Sequence, residues 1–170
     1  MKIIISLNTT WNIYNFRLNL IKELQNLGHN IAALAPVDEY VSKLEEINVS
    51  CYNVSLNPRG TNPLKDIGLV YQYYKLFSEL KPDVVFSFTI KPNIYGNLAA
   101  RILNIPTINN ISGLGTLFIK MSFTSHIGKL LYKLSLTSSS HVFFQNSDDK
   151  QLFIENKLVK PNTASTIPGS

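Results

Sequence analysis

Three short stretches of this sequence combine polar side chains with aromatic, basic or glycine residues in ways that suit the binding of a sugar or a phosphate. The first covers residues 8–17 and holds Asn8, Asn15 and Trp11. Asparagine amides supply neutral donors and acceptors, and an indole ring offers a flat face to a sugar or a lipid. The alternative is that this stretch only begins a helix, with Trp11 and Phe16 packed inward.

The second stretch, residues 89–96, places Thr89, Lys91 and Asn93 directly after an apolar run. Lys91 would lie just before the N-terminus of a helix, where its ammonium group and the free backbone N–H groups both attract anions. Asn93 would either cap this helix or contact a ligand. The alternative for Lys91 is a solvated surface lysine.

The third stretch, residues 109–116, contains Gly113, Leu114 and Gly115. Glycine lets the backbone approach a ligand closely. This pair of glycines lacks the third glycine of a dinucleotide fingerprint and lies far from the first strand, where that fingerprint belongs, so a nicotinamide site is not expected. Cys51 is the only cysteine, which excludes intramolecular disulfides and Cys-rich metal sites.

Basic residues dominate the second half of the chain. The 170 residues carry a formal net charge of +5, and no acidic residue lies between Asp83 and Asp148. Such a surface suits nucleic acid, an anionic bilayer or a diphosphate, or is simply solvated. A nucleic-acid partner is not expected, because the chain has no recognisable reading motif and its basic residues alternate with aliphatic ones. No run reaches the roughly 18 apolar residues of a membrane span.

Short apolar runs alternate with longer amphipathic segments along the chain, which predicts strands alternating with helices. The predicted strands are residues 2–7, 31–35, 51–56, 84–89, 106–111, 141–145 and 164–167. The predicted helices are residues 16–27, 39–47, 63–80, 93–103, 125–137 and 147–156. Gly28 is expected to end the first helix and Ser147 to cap the last.

This alternation predicts a single doubly wound α/β domain over residues 1–170, with a parallel sheet covered by helices on both faces. The strands are continuous apolar runs, as buried parallel strands are. In such sheets ligands bind beyond the carboxyl ends of the strands, near the point where the strand order reverses. The three polar stretches follow the first, fourth and fifth strands, so the candidate site is expected at that edge.

Five pieces of sequence, in order, carry a resemblance to a known enzyme family. They are Ile-Tyr-Asn-Phe-Arg at 13–17, Leu-Gln-Asn-Leu-Gly-His at 24–29, Ala-Pro-Val-Asp-Glu-Tyr at 35–40, Lys-Pro-Asn-Ile-Tyr-Gly at 91–96 and Gly-Leu-Gly at 113–115. With them the chain resembles the Rossmann-like N-terminal domain of family 4 retaining glycosyltransferases of the GT-B type. It is most similar to the branch that extends undecaprenyl-diphosphate-linked sugars in bacterial O-antigen, capsule or N-glycan assembly.

The resemblance implies a two-domain hexosyltransferase that moves a sugar from a nucleotide sugar to a lipid-diphosphate-linked saccharide, without metal or other cofactor. This half would bind the acceptor. The donor-binding domain, with the family's glutamate pair, is absent from residues 1–170, so the chain alone is expected to be inactive. Arg17, Lys91 and the backbone of Gly113, Leu114 and Gly115 would face the cleft, with Lys91 on either the acceptor diphosphate or a donor phosphate.

A competing enzyme class of similar architecture, the sugar-nucleotide epimerases, would need acidic or histidine catalysts in the cleft. Asp38 is the only acid near the three stretches in the sequence. Many relatives of the resembled family also carry a Gly-Gly pair after the first strand, where this chain has Thr-Thr-Trp-Asn at 9–12.

A basic amphipathic segment indicates contact with a membrane. Lys129 and Lys133 lie on one side of a predicted helix, after Lys120, and the other side carries Ile127, Leu130, Leu131 and Leu134. Such a segment can lie among anionic headgroups, which agrees with the resembled family's place on the inner face of the cytoplasmic membrane. The alternative is an ordinary helix that covers the sheet. The alternative function is a non-catalytic module that binds lipid-linked sugar or anionic membrane.

Overall fold

A computed structural model of the chain describes residues 1–56, 63–113 and 123–168. Side chains are described within these ranges except at residues 63–65 and 123–126. Of the residues singled out from the sequence, Leu114, Gly115 and Lys120 lie outside the described ranges.

The described residues form a seven-stranded sheet in the order β3-β2-β1-β4-β5-β6-β7. Every neighbouring pair of strands is parallel. The order reverses between β1 and β4, which confirms the predicted doubly wound arrangement. The strands are β1 (Lys2–Ser6), β2 (Asn30–Ala35), β3 (Ser50–Asn53), β4 (Val84–Ser87), β5 (Thr107–Ile111), β6 (His141–Phe144) and β7 (Ala164–Thr166).

Helices cover the sheet on both faces, as predicted. They are α1 (Thr10–Asn26), α2 (Val41–Glu45), α3 (Pro63–Leu80), α4 (Asn97–Ile102), α5 (Phe123–Leu136) and α6 (Ser147–Glu155). A π-helix (Pro92–Gly96) runs directly into α4, and a 3-10 turn (Pro161–Thr163) precedes β7. Among the described residues, no helix combines the length and apolar character needed to cross a bilayer.

Two apolar cores lie on opposite faces of the sheet, because successive side chains of a strand point to opposite sides. In β1, Ile3 and Ile5 pack with Ile13 of α1 and Leu44 of α2. Ile4 points the other way, into the core that α3, α4, α5 and α6 cover.

The first helix begins at Thr10, earlier than the predicted residue 16. The hydroxyl of Thr9 accepts the N–H of Asn12 at 3.0 Å, and the carboxylate of Asp38 accepts the N–H of Trp11 at 2.9 Å. These bonds satisfy backbone donors that a helix start leaves without partners. Residues 10–17 are therefore helical, and the expectation from the sequence that they form a loop is wrong.

Two predicted helix ends can be compared with the structure. Gly28 has φ +81°, and its N–H bonds the carbonyl of Gln25 at 2.8 Å, so its predicted role as the terminating residue of α1 is confirmed. The prediction for α6 was wrong by one residue, because Asn146 and not Ser147 is the N-cap. The side-chain oxygen of Asn146 accepts the N–H of Asp149 at 2.7 Å.

Candidate functional site

The loops that leave β1 and β4 meet where the strand order of the sheet reverses. Asn8 follows β1 and Thr89 follows β4, and both side chains are half-buried. The hydroxyl of Thr89 donates a hydrogen bond of 2.7 Å to Oδ1 of Asn8. The two stretches singled out around these residues are therefore in direct contact at the edge where doubly wound sheets bind their ligands.

The aromatic residues at the start of α1 face outward. Trp11 is 43% exposed and Phe16 is 47% exposed, so the inward-packed alternative is wrong for both. Their rings meet edge to face, with centroids 5.5 Å apart. Asn15 is exposed one turn further along, and its Nδ2 donates to the carbonyl of Trp11 at 2.9 Å. The first turns of α1 thus present an aromatic surface next to exposed amides.

Asp38, the acid expected near the site, holds the start of α1 in place. Its carboxylate accepts hydrogen bonds from the hydroxyl of Thr10 and from the N–H groups of Trp11 and Tyr40, the last two at 2.9 Å. Burial acts to raise the pKa of Asp38, but these hydrogen bonds outweigh it and the pKa lies below its ordinary value. A carboxylate stabilised in this way is a helix cap and a poor general base.

Arg17 reaches from α1 to the end of β4. Its Cζ lies 4.4 Å from the ring centroid of Phe88, and Nη1 donates to the carbonyl of Phe16 at 2.9 Å. Burial lowers the pKa of Arg17 from its ordinary value. The starting value is so high that the guanidinium stays charged at neutral pH. A positive charge therefore lies close to the switch point.

Lys91 has a partner that sequence reasoning missed. Its Nζ lies 2.6 Å from Oδ1 of Asp66 in the first turn of α3, and the hydroxyl of Tyr95 donates to Oδ2 of Asp66 at 2.8 Å. Acidic residues are common in the first turn of a helix because the helix dipole favours them there, so Asp66 gave no sign of a further role. Nothing in the sequence therefore connected Asp66 with Lys91.

Asn93 lies inside the protein and does not reach the surface expected to contact a ligand. It is 1% exposed. Its Nδ2 donates to the carbonyl of Asn110 at 3.0 Å, and its Oδ1 accepts from Asn109 at 2.8 Å. The expectation that Asn93 caps a helix or contacts ligand is corrected: its amide joins the π-helix to β5.

Gly113 follows β5 at the same edge of the sheet. Its φ is +150°, a backbone conformation that residues with a Cβ rarely adopt, and no described atom lies within 4 Å of the place a Cβ would take. Among the described residues, nothing therefore blocks close approach to the backbone at Gly113. The rest of this stretch, Leu114 and Gly115, lies outside the described residues.

The class of protein follows from comparison with known families. A family model described as glycosyl transferase 4-like matches residues 2–146. The chain belongs to this family. The resemblance deduced from the five sequence pieces is thereby confirmed.

Two curated relatives of this glycosyl transferase 4-like chain are bacterial. An N,N'-diacetylbacillosaminyl-diphospho-undecaprenol alpha-1,3-N-acetylgalactosaminyltransferase of Campylobacter jejuni is 27% identical over 161 residues, which are 92% of this chain and 43% of the relative. A UDP-Gal:alpha-D-GlcNAc-diphosphoundecaprenol alpha-1,3-galactosyltransferase of Escherichia coli is 26% identical over 119 residues, 69% of this chain and 29% of the relative. The chain thus spans less than half the length of each.

Solved structures confirm the fold of the glycosyl transferase 4-like chain. Acinetobacter baumannii MurG matches with a TM-score of 0.64 and 18% identity, over 100% of this chain and 46% of MurG. A Neisseria meningitidis UDP-GlcNAc 2-epimerase matches with a TM-score of 0.70 and 16% identity, over 98% of this chain and 46% of the epimerase. A Rickettsia africae glycosyltransferase matches with a TM-score of 0.65 and 14% identity, over 98% of this chain and 42% of that protein. At these identities the likeness shows the fold alone, which transferases and epimerases share.

Helix α5 of this glycosyl transferase 4-like domain presents an apolar stripe to the outside. Ile127, Leu130 and Leu134 are 44%, 56% and 44% exposed. Tyr132 and Leu136 face the core and are buried. The helix therefore both covers the sheet and leaves an outer face that nothing in the described residues covers.

The basic residues expected beside that stripe differ in their surroundings. Lys133 is exposed, whereas Lys129 is half-buried and its Nζ donates to Oδ1 of Asn156 at 3.2 Å. Arg101 of α4 is also exposed, and its Nη1 donates to the carbonyl of Leu134 at 2.9 Å. Positive charge thus flanks the stripe.

An open pocket of about 540 Å³ lies at the opposite, amino edge of the sheet, lined by residues such as Lys2, His29, Asn30 and Ser50. It is remote from the switch point, and ligands of doubly wound sheets bind at the carboxyl edge, so this pocket is not part of the candidate site. Within the described parts of the chain, no three metal-ligating side chains come together.

Proposed function

We propose that residues 1–170 are the acceptor-binding half of a retaining glycosyltransferase that moves a sugar from a nucleotide sugar to a lipid-diphosphate-linked saccharide. The observation that carries the proposal is the hydrogen bond between Asn8 and Thr89, which joins the two loops at the switch point. Family membership supports the reaction class. The names of both curated relatives contain an undecaprenol-linked diphosphate, which supports the acceptor class.

The residues at the switch point would each contact a different part of the acceptor. Asn8 and Thr89 offer neutral hydrogen-bonding groups to sugar hydroxyls, and Trp11 offers a ring face, with Asn15 beside it. The charged guanidinium of Arg17 suits the diphosphate. Gly113 lies at the same edge of the sheet, and the resemblance to the family implies that Leu114 and Gly115, outside the described residues, also face the cleft. Asn93 supports this surface from below.

The nucleotide sugar is proposed to bind a part of the polypeptide other than residues 1–170. The curated relatives are more than twice as long as their matched segments. In a two-domain transferase the reacting groups meet between the domains, so one domain lacks half of the contacts to the transition state. Residues 1–170 alone are then inactive.

The experiment compares the natural polypeptide, whose length intact mass spectrometry establishes, with residues 1–170 alone. Each is assayed with short-chain prenyl-diphosphate sugars and a panel of nucleotide sugars. We expect transfer with retained anomeric configuration by the natural polypeptide only. Turnover by residues 1–170 would refute the division of labour. No transfer by either protein with any donor would overturn the transferase proposal and favour the non-catalytic binding module.

We also propose that the α5 surface docks on the anionic inner face of the cytoplasmic membrane. The apolar stripe of Ile127, Leu130 and Leu134 suits the headgroup boundary, and the flanking Lys133 and Arg101 suit anionic lipid. Each basic residue near such a surface contributes on the order of 1 kcal/mol. Residues 84–147, which include α4 and α5, contain no acidic residue.

Liposome flotation tests the docking surface. A Lys120/Lys129/Lys133→Glu variant should lose binding to anionic vesicles, because three attractive charges become repulsive. A matched Lys22/Lys43/Lys75→Glu variant makes the same net charge change on exposed lysines of α1, α2 and α3, and should keep most of the binding. Unchanged flotation of the first variant, or equal loss by both, would contradict docking through α5.

A further inference from the structure

Three polar side chains form a cluster beside the switch point. Asp66 receives the ammonium group of Lys91 at 2.6 Å on one carboxylate oxygen and the hydroxyl of Tyr95 at 2.8 Å on the other. The side chains of Lys91 and Asp66 keep 12% and 14% of their surface exposed. The cluster is thus enclosed by protein on most sides, with a small fraction of each of these two side chains exposed.

The charges of this cluster do not suit a phosphate. Lys91 and Asp66 carry opposite charges 2.6 Å apart, so the attraction of a nearby anion to Lys91 is offset in part by its repulsion from Asp66. An anion close enough to bond Lys91 would also meet the negative carboxylate of Asp66. The diphosphate of an acceptor therefore gains little from Lys91 in this arrangement.

The same cluster suits neutral hydroxyl groups. An ammonium group has three donors and a carboxylate has about four acceptor positions, so both retain capacity beyond the bonds they make to each other and to Tyr95. Burial and the nearby Asp66 raise the pKa of Tyr95, so its hydroxyl stays protonated and keeps donating to Asp66. A sugar presents adjacent hydroxyls that donate and accept at once, and charge-assisted bonds to them are strong.

From this geometry we propose that Lys91 and Asp66 bind hydroxyl groups of the acceptor's sugar ring, with Tyr95 holding the carboxylate in position, and that Lys91 is not the counter-ion of the diphosphate. This inference rests on the acceptor role proposed above. It specifies which part of the acceptor Lys91 contacts: the hydroxyl groups of the sugar and not the diphosphate.

Calorimetric titration of the natural polypeptide with two probes tests the assignment. One probe is a short-chain prenyl-diphosphate N-acetylhexosamine, and the other is inorganic pyrophosphate. Asp66→Asn and Lys91→Met should each weaken the sugar probe about tenfold or more, as expected for lost hydrogen bonds to charged groups. Both should change pyrophosphate affinity by a much smaller factor than they change the affinity for the sugar probe, because the diphosphate bonds neither side chain. Tyr95→Phe should weaken the sugar probe by a smaller factor, and Asp66→Glu should restore part of the affinity lost in Asp66→Asn.

Glu79→Gln is the matched control, because Glu79 is an exposed carboxylate on the same helix, 4.0 Å from Lys75. It should change neither affinity. The inference is overturned if Lys91→Met weakens pyrophosphate as much as the sugar probe, if Asp66→Asn markedly tightens pyrophosphate, or if the wild-type protein binds neither probe. If Asp66→Asn unfolds, Tyr95→Phe and Lys91→Met carry the test.

A transfer assay on the same wild-type sample separates this inference from the proposed function. Binding of the sugar probe without any turnover would refute the transferase proposal and would still support the hydroxyl-binding site. If the protein transfers sugar but its acceptor affinity is unchanged in Asp66→Asn and Lys91→Met, the transferase proposal stands and the hydroxyl site is refuted.

Discussion

Asn97 of α4 and Asn109 of β5 exchange two hydrogen bonds inside the protein, of 2.9 and 3.0 Å. Both residues are buried. Asn97 also donates to the hydroxyl of Ser139, beyond the end of α5, at 3.0 Å. The pair thus ties a strand, a helix and a turn together in the interior of the protein.

Replacing Asn97 by alanine should destabilise the domain by about 2–3 kcal/mol, because it leaves polar groups of Asn109 and Ser139 buried without this partner. Urea denaturation followed by circular dichroism measures the free energy of unfolding. Asn19→Ala, an exposed position in α1, is the control and should change it by less than about 0.5 kcal/mol. Equal effects of the two substitutions would show that the buried amide pair contributes nothing particular.

Replacing Thr89 by valine removes the hydroxyl that bonds Asn8 but keeps the shape of the side chain. We expect a loss of about 1 kcal/mol in the free energy of unfolding, typical of one hydrogen bond. We also expect a severalfold rise in KM for the lipid-linked acceptor in the natural polypeptide, because the two loops are no longer joined.

The matched control for Thr89→Val is Thr137→Val, since the hydroxyl of Thr137 is exposed and bonds only locally, to the carbonyl of Leu134 at 3.3 Å. Its KM should equal that of the wild type. An unchanged KM in Thr89→Val would mean that the joined loops do not shape the acceptor site.

Asp38 should make stability depend on pH in the acid range. A carboxyl whose pKa is lowered by folding stabilises the native state above its unfolded pKa of about 3.9, and this contribution disappears as the pH falls through the lower folded value. Asp38→Asn should therefore have a lower Tm than the wild type at pH 7, and the gap should shrink below about pH 4. Thermal scans across pH measure this gap, with Glu39→Gln as the neighbouring exposed control. A gap independent of pH would contradict the capping role of the charge.

Cys51 should react slowly in the folded protein. Burial raises its pKa to about 11, with smaller contributions from the charges of Glu45 and Asp38. Since the thiolate is the reactive form, alkylation by iodoacetamide at pH 8 should be on the order of 100-fold slower than in guanidinium-unfolded protein. Mass spectrometry over time measures both rates. Similar rates would show that the β3 edge opens readily.

The sequence predicted the fold well where local signals and tertiary structure agree. Gly28 ends α1 as expected, since a glycine after an amphipathic segment acts over one turn. The start of α1 was missed although Thr9 caps it locally, because the second group that holds the first turn, Asp38, lies far along the chain. The Lys91 partner was missed for the same reason: Asp66 lies on another helix.

The sequence predicted where the loops of the candidate site lie, but it predicted the role of each side chain less well. Thr89 and Asn8 follow strands whose order could be inferred, so their proximity was predictable. The burial of Asn93 was not, because an asparagine after a proline reads equally well as a cap, a ligand contact or a buried bridge.

The π-helix at Pro92–Gly96 leads directly into the segment that carries Asn97. Such a turn holds an additional residue compared with an α-helical turn. Each residue of an α-helix rotates the following side chains by about 100°. Removing one residue here would therefore yield a more regular helix but swing Asn97 away from Asn109, so a homologous chain shorter by one residue would keep its helix and lose the buried amide pair.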